Sequence, residues 1–299
     1  MNINEKLIDL SIKCNGDYFK MIKMIEDKEI AKKTIDDYTG IYAINLLDEN
    51  YPELFKKAEN PPILIYSNYN DLSILNKKLL NKDTDKIMII GSDFQLKQES
   101  EIILGQTLPE YEKNTIDDII NDLVKESKDA TILGYVENRA SRYALLRASI
   151  CGLNVVAYSS KSKEAACTDC NIFYDDDPFN SKNEERYKDA VLLTEKFQSN
   201  KDDKLQLKDV SFAANRLCAM TNTLIITGGQ KEKEMYYKEF TKYAELYNKF
   251  LMTIPYQYHK DEQNICNDLI ADGVDIYNGP KSLPLNKNII KNKEMYLEI

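Results

Sequence analysis

Ile41 to Asn68 reads IYAINLLDENYPELFKKAENPPILIYSN, and Lys86 to Asp93, a short way on, reads KIMIIGSD. The first stretch predicts a strand, then an Asn-Tyr-Pro turn into a short helix over Glu53 to Ala58. Pro61-Pro62 stop that helix and release a second strand over Ile63 to Tyr66. The second stretch predicts a buried apolar strand ending in a Gly91-Ser92 turn before a helical segment. Such a turn is where open α/β sheets hold phosphates, because backbone amides and a helix N-terminus converge there.

From Lys86 onward, short apolar runs alternate with amphipathic segments. Strands are expected over Ile87 to Ile90, Thr131 to Leu133, Val155 to Tyr158, Ile172 to Tyr174, Leu224 to Thr227 and Leu251 to Ile254. Helices are expected over Thr115 to Ser127, Arg139 to Ile150, Asn183 to Phe197, Val210 to Met220, Lys231 to Lys249 and Asp261 to Ala271. Thr115 and Asp118 suggest an N-terminal capping arrangement, and Gly152 and Gly273 suit helix C-termini. The alternation implies an α/β fold, an extended Rossmann-like and mostly parallel sheet. Before it, residues 1–40 read as a helical region in two pieces, broken at Asn15-Gly16. The main domain is expected over residues 41–279, and residues 280–299, rich in Lys and Asn, as a peripheral tail.

Composition narrows the function classes. The chain has 299 residues, 43% apolar and 30% charged, which suits a soluble globular protein. No run is long and apolar enough to span a bilayer, and no signal-peptide core opens the chain, so a cytoplasmic location without membrane association is expected. His259 is the one histidine, which removes histidine-based metal clusters and leaves a catalytic triad only a polar loop residue. Cys167 and Cys170 form a lone CxxC, two ligands short of a zinc site. No metal, cofactor or catalytic residue is expected. The net charge of −9 opposes strong nonspecific DNA binding, which needs phosphate neutralisation. Arg139, Arg142 and Arg147 are the candidate local basic patch.

Three glycine turns would meet at the carboxyl edge of the sheet. They are Gly91-Ser92-Asp93, Gly134 through Asn138 and Arg139, and Thr227-Gly228-Gly229-Gln230-Lys231. A fourth feature is Phe212-Ala213-Ala214-Asn215-Arg216-Leu217, just before the strand that starts at Leu224.

These residues resemble the DprA/Smf family of DNA-processing proteins. The family leader "LDxxYPxxLxxxxxPPxxLYxxG" is matched by Leu47, Asp48, Tyr51, Pro52, Leu54, Pro61, Pro62, Leu64 and Tyr66, and its "VGSR" turn by Gly91 and Ser92. Phe212, Asn215, Arg216 and Leu217 match "FPxRNRIIxxLS", Ile254-Pro255 match "AVPG", and Asn267 to Gly273 match "NxLIxxGA". The resemblance runs from about Tyr42 to Gly273. It implies single-stranded DNA as ligand, a homodimer, loading of a RecA-type recombinase and no chemistry of the protein's own. The candidate binding residues, from the three turns and the Phe212 to Leu217 segment, are Gly91, Ser92, Gly134, Asn138, Arg139, Asn215, Arg216, Gly228, Gly229 and Gln230. The departures bear on the phosphate contacts. Asp93 replaces a basic residue, Ala214 replaces the first arginine, and the second turn keeps only Gly134 of its glycines. Two other readings stay open. One is a nucleotide or nucleotide-derivative binder, a sensor or phosphoribohydrolase-like protein, using Gly228-Gly229 with Glu232 or Glu234. The other is a scaffold that kept the fold and lost its ligand.

Overall fold

Apolar runs too short for helices pair edge to edge in the computed structural model, which describes residues 3–29, 35, 41–67, 72–92, 108–162, 191–198, 205–255 and 264–285. The elements in chain order are helices α1 (Ile3–Cys14) and α2 (Tyr18–Glu26), then strands β1 (Ala43–Asn45), β2 (Leu64–Ser67) and β3 (Lys86–Ile90). Helix α3 (Glu110–Glu126), β4 (Thr131–Tyr135), α4 (Arg139–Ile150), β5 (Asn154–Ser159) and β6 (Val191–Thr194) follow. The chain continues through α5 (Leu207–Met220), β7 (Thr223–Ile226), α6 (Glu234–Leu246), β8 (Phe250–Thr253), α7 (Ile265–Ala271) and β9 (Asp275–Ile276). Among the described residues nine strands form one sheet, ordered β1-β2-β6-β5-β4-β3-β7-β8-β9. Every pairing from β6 to β9 is parallel, while β1 and β2 join antiparallel at the other end. The strands expected over Ile87 to Ile90, Thr131 to Leu133, Val155 to Tyr158 and Leu224 to Thr227 are parallel neighbours, with Ile87 beside Ile132 on one side and Thr223 on the other.

Burial explains why these strands lack polar alternation. Adjacent residues point to opposite faces of a sheet, and both faces here are covered. In β4, Gly134 meets Leu145 of α4, while its neighbour Tyr135 packs its ring on Phe240 of α6. Helices α3 and α4 therefore lie on one face and α5 and α6 on the other.

The leader acts structurally. Asp48 accepts from the Asn45 amide at 2.8 Å and closes the turn after β1. Tyr51 is fully buried and donates its hydroxyl to the Pro62 carbonyl at 2.7 Å, fastening the turn to β2. The Glu53–Ala58 helix is one 3₁₀ turn, Phe55–Lys57. Asn15 and Gly16 take positive φ, 51° and 67°, and separate α1 from α2 as expected. Gly152 and Gly273 do the same at φ 80° and 88°.

Two expectations are corrected. Val191–Thr194, the end of the helix expected over Asn183 to Phe197, is strand β6; a four-residue apolar run does not by itself distinguish the two. The helix expected from Thr115 starts five residues earlier, at Glu110 after Pro109. Thr115 is no cap: its hydroxyl donates back to the Tyr111 carbonyl inside the helix. Ile172–Tyr174 and residues 183–190 lie outside the described residues.

Lys86 opens β3 almost fully buried, its ammonium donating to the carbonyls of Asn81 and Thr84. Burial, reinforced by the nearby Lys249 charge, lowers its pKa to about 8. A depressed lysine pKa means that the unfolded chain holds more protons between pH 8 and the ordinary lysine range, so this group makes stability rise with pH there. The urea stability of Lys86→Met relative to the parent is therefore expected to decline as pH rises from about 7 to about 10. A difference that stays flat with pH would show that the amine is not desolvated.

Candidate nucleic-acid interface at the carboxyl edge of the sheet

The first turn, Gly91-Ser92, leaves β3 between the ends of β4 and β7. Asn138, the N-cap of α4, locks it: Oδ1 accepts from the Gly91 amide at 3.2 Å and from the Ser141 amide at 2.9 Å, and Nδ2 donates to the Gly91 carbonyl at 2.8 Å. Tyr237 of α6 donates to the same carbonyl at 3.0 Å. The third turn approaches from β7, where the Thr227 amide continues the ladder to the Ile90 carbonyl. Gly229 is needed for close approach, since a Cβ there would lie 2.4 Å from the Tyr237 ring. Gly91, Ser92, Asn138, Gly228 and Gly229 thus share one edge. Arg139 begins α4 beside them, half-buried, and Gln230 is exposed at the outer end of the third turn.

The centre of this edge holds a carboxylate. Glu112, in the first turn of α3, is fully buried, and its Oε1 accepts from the Ser92 amide and from the Thr227 hydroxyl, each at 2.9 Å. A Cβ at Gly91 would sit 1.9 Å from that oxygen and one at Gly228 2.7 Å from it. The two glycines therefore form a cradle that leaves room for this carboxyl oxygen. Tyr111 pins the start of α3 by donating to the Pro255 carbonyl after β8.

Gly134 is not part of the cradle. It lies inside β4, where a Cβ would come 2.5 Å from Leu145 Cγ, so its role is to let α4 lie close on the sheet. Asn215 and Arg216 are also elsewhere. Asn215 Nδ2 donates to the Glu59 carbonyl at 2.7 Å, and Oδ1 accepts from Tyr247. Tyr247 follows Tyr237 by ten residues along α6, about 15 Å of helix axis away from the Gly91 turn. Arg216 is fully buried. Its Nε donates to Glu195 Oε1 at 2.9 Å, its Nη1 to the Glu59 carbonyl at 3.0 Å, and its guanidinium lies 5.3 Å from the Phe212 ring centre. Burial alone would lower its pKa; the Glu195 carboxylate overrides that and holds it above the ordinary arginine value. An arginine so placed has no path to a phosphate outside. The expected patch of Arg139, Arg142 and Arg147 is not open either: Arg142 is buried and Arg147 pairs with Asp117 at 2.6 Å.

No family model matches this sequence, and no curated protein matches it. Among solved structures, the chain superposes on DNA processing protein A (DprA) from Streptococcus pneumoniae with a TM-score of 0.59 at 12% identity, over 88% of this chain and 80% of that one. It superposes on DprA from Helicobacter pylori, described with a unique single-stranded DNA binding mode, with a TM-score of 0.51 at 16% identity, over 86% of this chain and 98% of that one. The fold is that of DprA.

Within the DprA fold, Glu112 is the residue the sequence reading missed. Its signal was the Pro109-Glu110 helix start, which places Glu112 in the first turn, beside the edge, rather than upstream of the helix. Asp93, Cys167, Cys170 and His259 lie outside the described residues. Among the described residues no cluster could hold a metal ion and no helix is long and apolar enough to cross a membrane. Cys218 and Cys266 are buried, and burial raises both thiols, that of Cys266 to about 12.

The Arg216 pair allows a stability test. Arg216→Ala strands Glu195 in a site only 13% exposed, and a loss of about 3–5 kcal/mol is expected, read from the urea midpoint. Replacing both residues by methionine should cost clearly less, because no uncompensated charge remains. If Arg216→Ala is as stable as the parent, the pair is not what holds this region.

Proposed function

We propose that this chain is a divergent DprA-like DNA-processing protein that binds single-stranded DNA weakly along the carboxyl edge of its sheet. One observation carries the proposal. The chain has the DprA fold, and the Gly91, Asn138 and Gly228 turns meet at the edge where open α/β sheets take their ligands. The protein is then a binding and loading module rather than an enzyme. It works as a homodimer and passes DNA to a RecA-type recombinase, as the family resemblance implies. Residues 1–40 serve as a helical cap on the main domain of residues 41–279, with residues 280–299 as a tail. Arg139 and Gln230 are the edge side chains nearest to hand for a backbone contact. Arg216 contributes only by holding the fold.

A scaffold that no longer binds is the second reading. It is favoured by the Glu112 carboxylate in the cradle, the internal pairing of Arg216 and the net charge of −9. The nucleotide-binding alternative has less support: Glu234, one of its candidate acids, is tied to Lys238 at 2.7 Å. A small cleft elsewhere, beside Tyr18 and Phe212, is lined by Glu195 and Asp209, each already paired with a cation, Arg216 and Lys196.

Fluorescence anisotropy with a labelled oligothymidylate separates the two main readings. Weak binding that declines as salt rises is expected of the parent. Asp93→Arg should tighten it by roughly tenfold, since one charge-assisted phosphate contact contributes on the order of 1–3 kcal/mol. No binding by either protein at low salt would refute the DNA reading and leave the scaffold.

A further inference from the structure

We propose that the Gly91–Gly228 cradle is an oxyanion site that the chain closes with its own Glu112 carboxylate, so that a phosphoryl group binds there only by taking that carboxylate's place. The inference rests on the reading of the carboxyl edge as the binding edge, and adds how that edge is controlled.

The carboxylate occupies the position of a ligand rather than that of an ordinary helix-end acid. An acid in the first turn of a helix normally favours its own helix amides. Glu112 Oε1 instead reaches across to donors on two other elements, the Ser92 amide after β3 and the Thr227 hydroxyl after β7. A phosphoryl oxygen would use the same kind of donor in the same way. The two glycines are fitted to this oxygen: neither Gly91 nor Gly228 could carry a Cβ without striking it. The Gly91 backbone of the first turn is engaged as well, its amide by Asn138 and its carbonyl by Asn138 and Tyr237. An incoming phosphate therefore finds the Ser92 amide and the Thr227 hydroxyl taken by Glu112, and two anions sharing them in a buried site repel strongly. The ligand class is a phosphate monoester or diester, from a nucleotide or a nucleic-acid backbone.

The test compares the parent with Glu112→Ala, Glu112→Gln and the double variant Glu112→Ala/Gly228→Ala. Melting temperature is followed against inorganic phosphate, with chloride at matched ionic strength as control, and binding is measured by calorimetry. The parent should respond to phosphate no more than to chloride. Glu112→Ala should bind phosphate at least about tenfold more tightly than the parent. Glu112→Gln, which keeps the side-chain shape without the charge, should show a smaller gain and guards against an alanine variant that fails to fold. In the double variant the new methyl group fills the cradle, and the gain should disappear. Thymidine monophosphate and an oligothymidylate, run on the same proteins, tell a nucleotide source from a nucleic-acid source. No gain in either single variant overturns the proposal, and so does a gain that survives Gly228→Ala, because the phosphate would then sit elsewhere. An open cradle that takes phosphate while no protein binds the oligonucleotide keeps this inference and removes the DNA reading. Oligonucleotide binding by the parent with no phosphate gain in the variants does the reverse.

Discussion

The buried pair of Arg216 and Glu195 is the constraint on which much of this molecule hangs. One guanidinium on α5 reaches Glu195 at the end of β6 and the Glu59 carbonyl in the leader. Glu195 also accepts from Tyr158 of β5 at 2.7 Å. Helix, leader and two strands are thereby tied together around a fully buried guanidinium. Taking both charges out of water costs several kcal/mol each, so the pair persists only with this geometry and these extra hydrogen bonds. Asn215 completes the arrangement by holding the Glu59 backbone together with Tyr247.

This use of Arg216 alters what the fold can do. An arginine on the surface can contact a phosphate; Arg216, turned inward from the last turns of α5, is a structural cation. The carboxyl edge shows the matching change in the opposite sign. There the glycine turns still form a cradle, and an acid fills it. Arg216 and Glu112 each find their partners inside the protein, at separate places, in a chain whose whole balance is acidic. The sheet follows the DprA fold, while Arg216 and Glu112 are satisfied by groups of the chain itself.

Much of the fold was legible because its causes are local. Buried parallel strands are short apolar runs, and Lys86–Ile90, Thr131–Tyr135, Asn154–Ser159 and Thr223–Ile226 read as such without knowledge of their partners. Arg139–Ile150 has the expected bounds because Asn138 caps it and Gly152 ends it. Val191–Thr194 was misassigned because four apolar residues carry no usable period, and its place in the sheet comes from pairing with Val156 to Ser159.

The site was legible only in part. By itself the sequence determined the α/β class, the order of the elements and the glycines at the turns, since these depend on periodicity and on the space a missing side chain leaves. Tertiary structure alone decided that Gly134 packs against Leu145 inside a strand, that Arg216 faces Glu195 instead of solvent, and that Glu112 enters the cradle from a helix on another part of the chain. The physical reason is that such contacts join residues far apart in sequence. The sign and reach of a charged side chain can be read from the chain, but its partner is settled only when the sheet brings distant segments together.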